Sequence, residues 1–233
     1  MDFKLFVDAI VKITLGIVLF GLLIFLPAGT FNYWNGWLLI ILLFIPMFIA
    51  GIVMMIKSPD LLRRRLDIKE KQGEQKVVVA LSGLMFLVGF ILAGLNYRFE
   101  WIKLPNIVVI ISSIVFVLSY ILYAEVLREN VFLSRTIGVE KEQKLVDTGL
   151  YGVVRHPMYT ITIFLFLSMP LVLGSLISFG IFLVYPFIIV KRIKNEEEVL
   201  KKELKGYKEY MKKVKYRLIP FIWRYGKIIL RER

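Results

Sequence analysis

Gly149-Leu150-Tyr151-Gly152-Val153-Val154-Arg155-His156-Pro157-Met158-Tyr159 marks where a polar, basic stretch of this 233-residue chain gives way to an apolar one. Pro157 suits the first position of a helix, since its fixed φ fits and its missing N–H has no partner there in any case. His156, the single histidine of the chain, then stands at a helix N-terminus, among unpaired backbone N–H groups and the positive end of the dipole. Arg155 adds a fixed charge beside it. Such a junction can receive a small charged molecule. The same residue types also serve as plain anchors at a membrane surface.

The helix that Pro157 opens is one of a set. Apolar runs of about twenty residues, the length that crosses a bilayer, fall at 5–27, 35–56, 77–96 and 106–127, with shorter ones at 158–173 and 176–191. Only Gly174-Ser175 separates the last two, which predicts a tight helical hairpin. Pro46, Pro170 and Pro186 fall inside spans, where neighbouring helices can satisfy the carbonyls they free. The chain is 58% hydrophobic with mean hydropathy +0.72, above the roughly half that soluble domains show. The fold class expected is therefore all-α: a polytopic transmembrane bundle of about six spans. The first run is longer than a signal-peptide core and leads directly into a second span, so it reads as a retained helix.

Lysine and arginine positions orient the bundle. Of 31, only Arg98 and Lys103 fall in the connections after the first, third and fifth spans; the other 29 lie on the opposite side. The positive-inside rule then makes this a multi-pass membrane protein with both termini cytoplasmic, and with the His156 motif on that same side. Trp34, Trp37 and Trp101 flank the outer ends, as interfacial tryptophans do. The net charge of +13 follows this topology, so membrane lipids and not nucleic acid are the expected partners. With no cysteine, one histidine and no clustered His/Asp/Glu ligands, no disulfide and no metal centre are expected.

Between the spans, 57–76 with Arg63-Arg64-Arg65 reads as an interfacial segment drawn to anionic headgroups. Residues 128–148 are polar and without strong periodicity, leading into Lys144-Leu145-Val146-Asp147-Thr148-Gly149. After the last span, Leu200, Leu204, Tyr207, Met211 and Val214 recur at helical spacing among Lys and Glu. This predicts an amphipathic helix on the membrane or against the bundle, interrupted at Gly206. Arg217-Leu218-Ile219-Pro220-Phe221-Ile222-Trp223 reads as an interfacial anchor. At the start of the tail, Arg192 and Glu196 are four apart and share a helix face.

Two motifs carry a resemblance. One is Leu145-Val146-x-Thr148-Gly149-x-Tyr151-x-x-Val154-Arg155-His156-Pro157-Met158-Tyr159. The other is Asn195-Glu196-Glu197-x-x-Leu200-x-x-x-Leu204-x-Gly206-Tyr207-x-x-Tyr210, continued by Val214-x-Tyr216-Arg217-Leu218-Ile219-Pro220. In these the chain resembles the isoprenylcysteine carboxyl methyltransferase family and the related phospholipid methyltransferases. The resemblance covers roughly the C-terminal hundred residues.

It implies S-adenosyl-L-methionine as methyl donor, and no G-x-G-x-x-G fingerprint of a dinucleotide fold occurs. It implies donor binding by Leu145, Val146, Tyr151, His156, Pro157, Met158, Tyr159 and Glu196, and a catalytic Arg192 beside the acceptor's carboxylate. Residues 1–127 would then be transmembrane helices and 128–233 the catalytic region. The acceptor implied is a lipophilic small molecule or a lipidated cysteine, an isoprenylcysteine-type carboxylate being preferred. A phospholipid N-methyltransferase is the alternative, and a non-catalytic membrane scaffold is an alternative of another class. Family members often have glycine where Ile161 stands here, which would alter helix packing.

A carboxylic acid ordinarily titrates near pH 4, so its carboxylate is nucleophilic at neutral pH and needs only to be positioned. An amine is mostly protonated and needs a base, which an always-charged arginine cannot be. The arginine therefore mildly favours a carboxylate, though a phosphate-bearing lipid would also pair with it.

Overall fold

The apolar runs fold as helices because each is long, nearly free of charge and mostly free of internal proline. A computed structural model describes residues 3–67, 73–134, 136–139, 142–221 and 223, without the Glu74 side chain. Helices α1 (Phe3–Ala28), α2 (Trp34–Lys57), α4 (Gly73–Phe99) and α5 (Asn106–Glu129) are long enough to cross a membrane. Between α2 and α4 lies a short basic helix, α3 (Pro59–Leu66). The chain then continues through an irregular stretch into α6 (Pro157–Val172), α7 (Leu176–Phe182), α8 (Tyr185–Glu203) and α9 (Tyr207–Lys213). Taken together, residues Leu176–Glu203 are a fifth membrane-crossing candidate, and α6 is a shorter apolar helix of 16 residues.

Packing explains which faces are buried. Ile24, Phe25, Leu39, Phe44, Phe90, Phe116, Met169 and Phe182 from six helices form one core. Gly94 lets α4 approach α1, since a Cβ there would lie 2.6 Å from the Ile24 carbonyl oxygen. On the outside, α5 exposes Ile107, Ile110, Ile111, Ile114, Leu118 and Ile121, a stripe tolerable only in lipid. The charges within spans are paired: Lys12 Nζ reaches Asp8 at 2.8 Å and the Leu66 carbonyl at 2.9 Å, and Glu125 pairs with Arg128.

One expectation needs correction. The expected span 176–191 is not continuous. Pro186 lacks the N–H for the Phe182 carbonyl and crowds it, so α7 ends there and α8 starts at Tyr185. From that start α8 runs through to Glu203, so span and tail are one helix up to Leu204, and Gly206 at φ +85° then makes the expected break. The amphipathic face, expected on the membrane or against the bundle, packs against protein: Leu204, Tyr207, Met211 and Val214 cluster with Val139 and Leu145 of the irregular stretch.

The segment expected as an interfacial anchor is also a structural clasp. The N–H groups of Arg155 and His156 donate to the carbonyls of Tyr216 and Arg217, at 2.9 and 3.0 Å, and Thr160 Oγ1 donates to the Leu218 carbonyl at 2.7 Å. Leu218 is buried in the core cluster, while Phe221 remains exposed. Ile222 lies outside the described residues, as do the first two residues and 224–233, on which the expected placement of the termini falls.

Gly149 sets the approach to α6. Its φ is +52°, and a Cβ there would fall 1.5 Å from Glu129 Oε1, whose carboxylate accepts the Leu150 N–H. Gly149→Ala must bear the left-handed backbone and also displace Glu129 from that N–H. The expected loss is about 2–3 kcal/mol, measured as a lowered midpoint in thermal or denaturant unfolding in detergent.

Candidate functional site

Everything the sequence singled out collects at one end of the bundle, where α2 and α5 end, α4 and α6 begin, and α8 emerges. His156 is the residue before α6 and is buried. Its Nε2 lies 3.3 Å from Glu197 Oε1. Arg155 meets the same carboxylate through Nε at 2.9 Å and Nη2 at 2.8 Å, and Arg217 reaches its other oxygen through Nε and Nη2 at 3.0 and 2.9 Å. The side chain of Glu197 is 1% exposed, so this is a buried, fully surrounded anion. The fixed charge of Arg155 beside His156 is committed to Glu197 and to the Val214 carbonyl at 2.7 Å.

One face round α8, Arg192 and Glu196 meet a single hydroxyl. Tyr159 Oη donates to Glu196 Oε2 at 2.6 Å and accepts from Arg192 Nε at 2.8 Å. Arg192 Nη1 donates to Oε1 of Gln75, at 3.2 Å. Gln75 comes from the start of α4 and is fully buried, and its Nε2 has no acceptor among the described residues. A buried donor left open in this way costs free energy unless something accepts from it.

A cleft of about 90 Å³ joins these elements. Its wall contains Leu145, Val146, Tyr151, His156, Pro157, Met158, Tyr159 and Glu196, all eight residues expected around the donor. Gln143, Lys144, Leu200, Leu204, Tyr207 and Tyr210 complete one side, and Asn130 with residues 132–134 and 136–138 the other. Gln143 and Lys144, which no sequence signal singled out, belong to this wall. The Tyr207 hydroxyl is buried and has no partner among the described residues. Burial pushes its phenol above the ordinary range, so it remains an O–H donor. Ile161 sits with Val126 and Tyr151 in a small apolar cluster.

The basic helix α3 serves the site as well as the surface. Arg64 Nη2 donates to the Val131 carbonyl at 2.8 Å, Arg65 Nη1 to the Ser134 carbonyl at 3.3 Å, and Arg65 Nη2 to the Tyr123 hydroxyl. These bonds hold the 131–134 wall against the bundle. Sites for drug-sized ligands usually measure about 300–1,000 Å³, so the cleft in this conformation is narrower than such a site.

The cleft lies almost wholly within one stretch of recognisable sequence. Residues 106–206 match the phospholipid methyltransferase family. The match supports the expected membrane methyltransferase and contains every cleft residue except Tyr207 and Tyr210. The chain is also similar to the Delta(14)-sterol reductase of Mus musculus, with 32% identity over 91 residues, 38% of this chain and 22% of that protein. It thus spans about a fifth of the length of that curated relative. Among solved structures it is similar to a eukaryotic intramembrane Ras methyltransferase, isoprenylcysteine carboxyl methyltransferase, with 16% identity and a TM-score of 0.47, covering 82% of this chain and 75% of the other. Five helices of membrane-crossing length and the family match together support a multi-pass membrane protein.

Proposed function

We propose that this chain transfers a methyl group from S-adenosyl-L-methionine to a lipophilic acceptor, preferably an amphiphilic carboxylate of the isoprenylcysteine type. One observation carries the reading: the eight residues expected around the donor line a single cleft, and Arg192 is hydrogen-bonded to one of them, Tyr159. In this reading residues 128–233 carry the chemistry and 1–127 supply the membrane scaffold together with Gln75. The cation asymmetry supports a cytoplasmic site, where a water-soluble donor arrives from the cytosol.

The cleft suits a cationic ligand. The donor supplies a sulfonium-bound methyl group, and it also carries an ammonium and a nucleoside. Glu196 offers a carboxylate to positive charge, Tyr151 and Tyr159 offer ring faces, and Tyr207 offers its open O–H. A reductase reading, suggested by the mouse relative, needs a hydride donor. Dinucleotide hydride donors carry a pyrophosphate, yet the wall presents Lys144 and an Arg155 already neutralised by Glu197.

The acceptor follows from proton accounting. At Arg192 the neighbouring groups are a phenol, an amide and a carboxylate already accepting from Tyr159. Among the described residues there, the base open to an ammonium is Glu196, which this reading gives to the positive charge of the donor. A carboxylate needs no base: its oxygen bonds the methyl carbon as the sulfonium leaves as a neutral thioether. Arg192 and Gln75 would hold that carboxylate, and holding it in line supplies most of the rate.

Detergent-solubilised protein, incubated with methyl-labelled donor and membrane extract, tests this. Label released as methanol by mild alkali identifies an ester. Alkali-stable label identifies the N-methyl product of the phospholipid alternative. Calorimetry with S-adenosylhomocysteine should show binding, and no binding at millimolar concentration removes the methyltransferase reading altogether. Glu196→Gln, which keeps shape and loses charge, should weaken S-adenosylhomocysteine binding by about tenfold or more, the worth of one charge-assisted hydrogen bond.

A further inference from the structure

At the opposite end of the bundle lies a second and larger cleft, of about 630 Å³, between the turn after α1, the α4–α5 connection and the α6–α7 turn. That volume is within the range of small-molecule sites. Among the described lysines and arginines, Arg98 and Lys103 lie on this side, and both line the cleft. Cations are disfavoured on that side, so two of them in one concavity call for a physical reason.

Hydrogen bonds and a ring stack frame the walls, while Arg98, Glu100, Ile102 and Lys103 are exposed. Asn96 is buried and fixes the α4–α5 connection by donating to the Ile102 carbonyl at 3.0 Å and accepting its N–H at 3.1 Å. Glu100, a non-glycine residue at φ +51°, holds a left-handed conformation that costs energy. The rings of Tyr33 and Tyr97 stack at 4.2 Å, and Tyr33 Oη and Asn35 Nδ2 donate to the carbonyls of Leu173 and Val172. These polar groups are spent on the frame.

Charge is what remains over. Lys103 is neutralised by Glu100 at 2.8 Å. Arg98 packs its guanidinium against the Gly29 turn and 5.5 Å over the Phe99 ring, so it is positioned, yet it makes no ion pair among the described residues. Ile102, Leu104, Val109 and Leu173 give the lining an apolar part, beside the polar Thr30 and Asn106.

We propose that this cleft binds a phosphate group, with Arg98 as its counter-charge and the apolar wall accepting the chain of the amphiphile that carries it. A planar guanidinium matches two phosphate oxygens at once. The proposal stands apart from the methyl-transfer reading, since the two clefts share no residue.

The test uses the full chain in neutral detergent. Native mass spectrometry follows retention of phosphatidylglycerol and of a diacylglycerol with the same chains, and a separate melt follows inorganic phosphate. The wild type should retain phosphatidylglycerol over diacylglycerol. Arg98→Gln should lower that retention about tenfold. Arg98→Lys should keep part of it, and Lys208→Gln, an exposed cation at the other end, should change nothing. Displacement by millimolar phosphate, or a phosphate-dependent rise in melting temperature lost in Arg98→Gln, assigns recognition to the phosphate alone. Retention that phosphate does not disturb assigns it to the lipid headgroup and chain together. Equal retention of the two lipids, or equal retention by Arg98→Gln, overturns the proposal.

Discussion

Glu197→Gln should lower the stability of the protein by about 3–5 kcal/mol, although the substitution keeps the heavy-atom count of the side chain and removes only its charge and one acceptor oxygen. That figure is the usual cost of deleting one partner of a buried ion pair. Here the loss leaves Arg155 and Arg217 facing each other across a neutral amide, with His156 beside them. Arg155 is fully buried as a side chain and cannot turn to water. The Coulomb repulsion and the missing acceptor both count against the folded state. Unfolding in a denaturing detergent series, followed by tryptophan fluorescence, measures the change. A shift below about 1 kcal/mol would show that the cluster is solvated in a way its geometry denies. The change should spare the helices before α6 and loosen the 216–218 segment first, which limited proteolysis can locate.

The second large effect belongs to Arg192. Arg192→Ala should reduce turnover by about a hundredfold, the size of loss that misplacing a reacting group can cause. S-adenosylhomocysteine affinity should stay within about twofold, the thermal-energy scale. Arg192→Lys keeps the charge but loses the fork that reaches Tyr159 and Gln75 together, so it should recover only part of the rate. Single-turnover methylation beside calorimetry separates the two quantities. Equal loss of both would mean that Arg192 organises the donor cleft and does not hold the acceptor.

These two residues show what sequence conveys and what it leaves out. Arg192 and Glu196 are four apart, and helical pitch alone places them on one face, where the structure joins them through Tyr159. Glu197 is legible too, by a subtler signal. It continues the stripe Ile189, Ile193, Leu200, Leu204, so a carboxylate there is a buried charge that must find cations. Which cations could not be read, because Arg155 and Arg217 reach it across 42 and 20 residues. Gln75 gave no signal at all: an amide near the start of an apolar helix has no periodicity to mark it, and only the packing of α4 against α8 brings it to Arg192. The helices themselves were plain from apolar runs, and Pro186 held the information for the break between α7 and α8.

The pairing of residues 216–217 with 155–156 has a bearing on biogenesis. A ribosome delivers Arg155 and His156 first, Glu197 some forty positions later, and Arg217 twenty positions after that. Until the last of these emerges, the carboxylate lacks one of its counter-ions and the backbone of residues 155 and 156 lacks its acceptors. The membrane part can therefore insert while the chain is still being made, but the chemistry can be switched on only after translation has passed Arg217. A nascent chain arrested before that point would sit in the bilayer correctly threaded and silent.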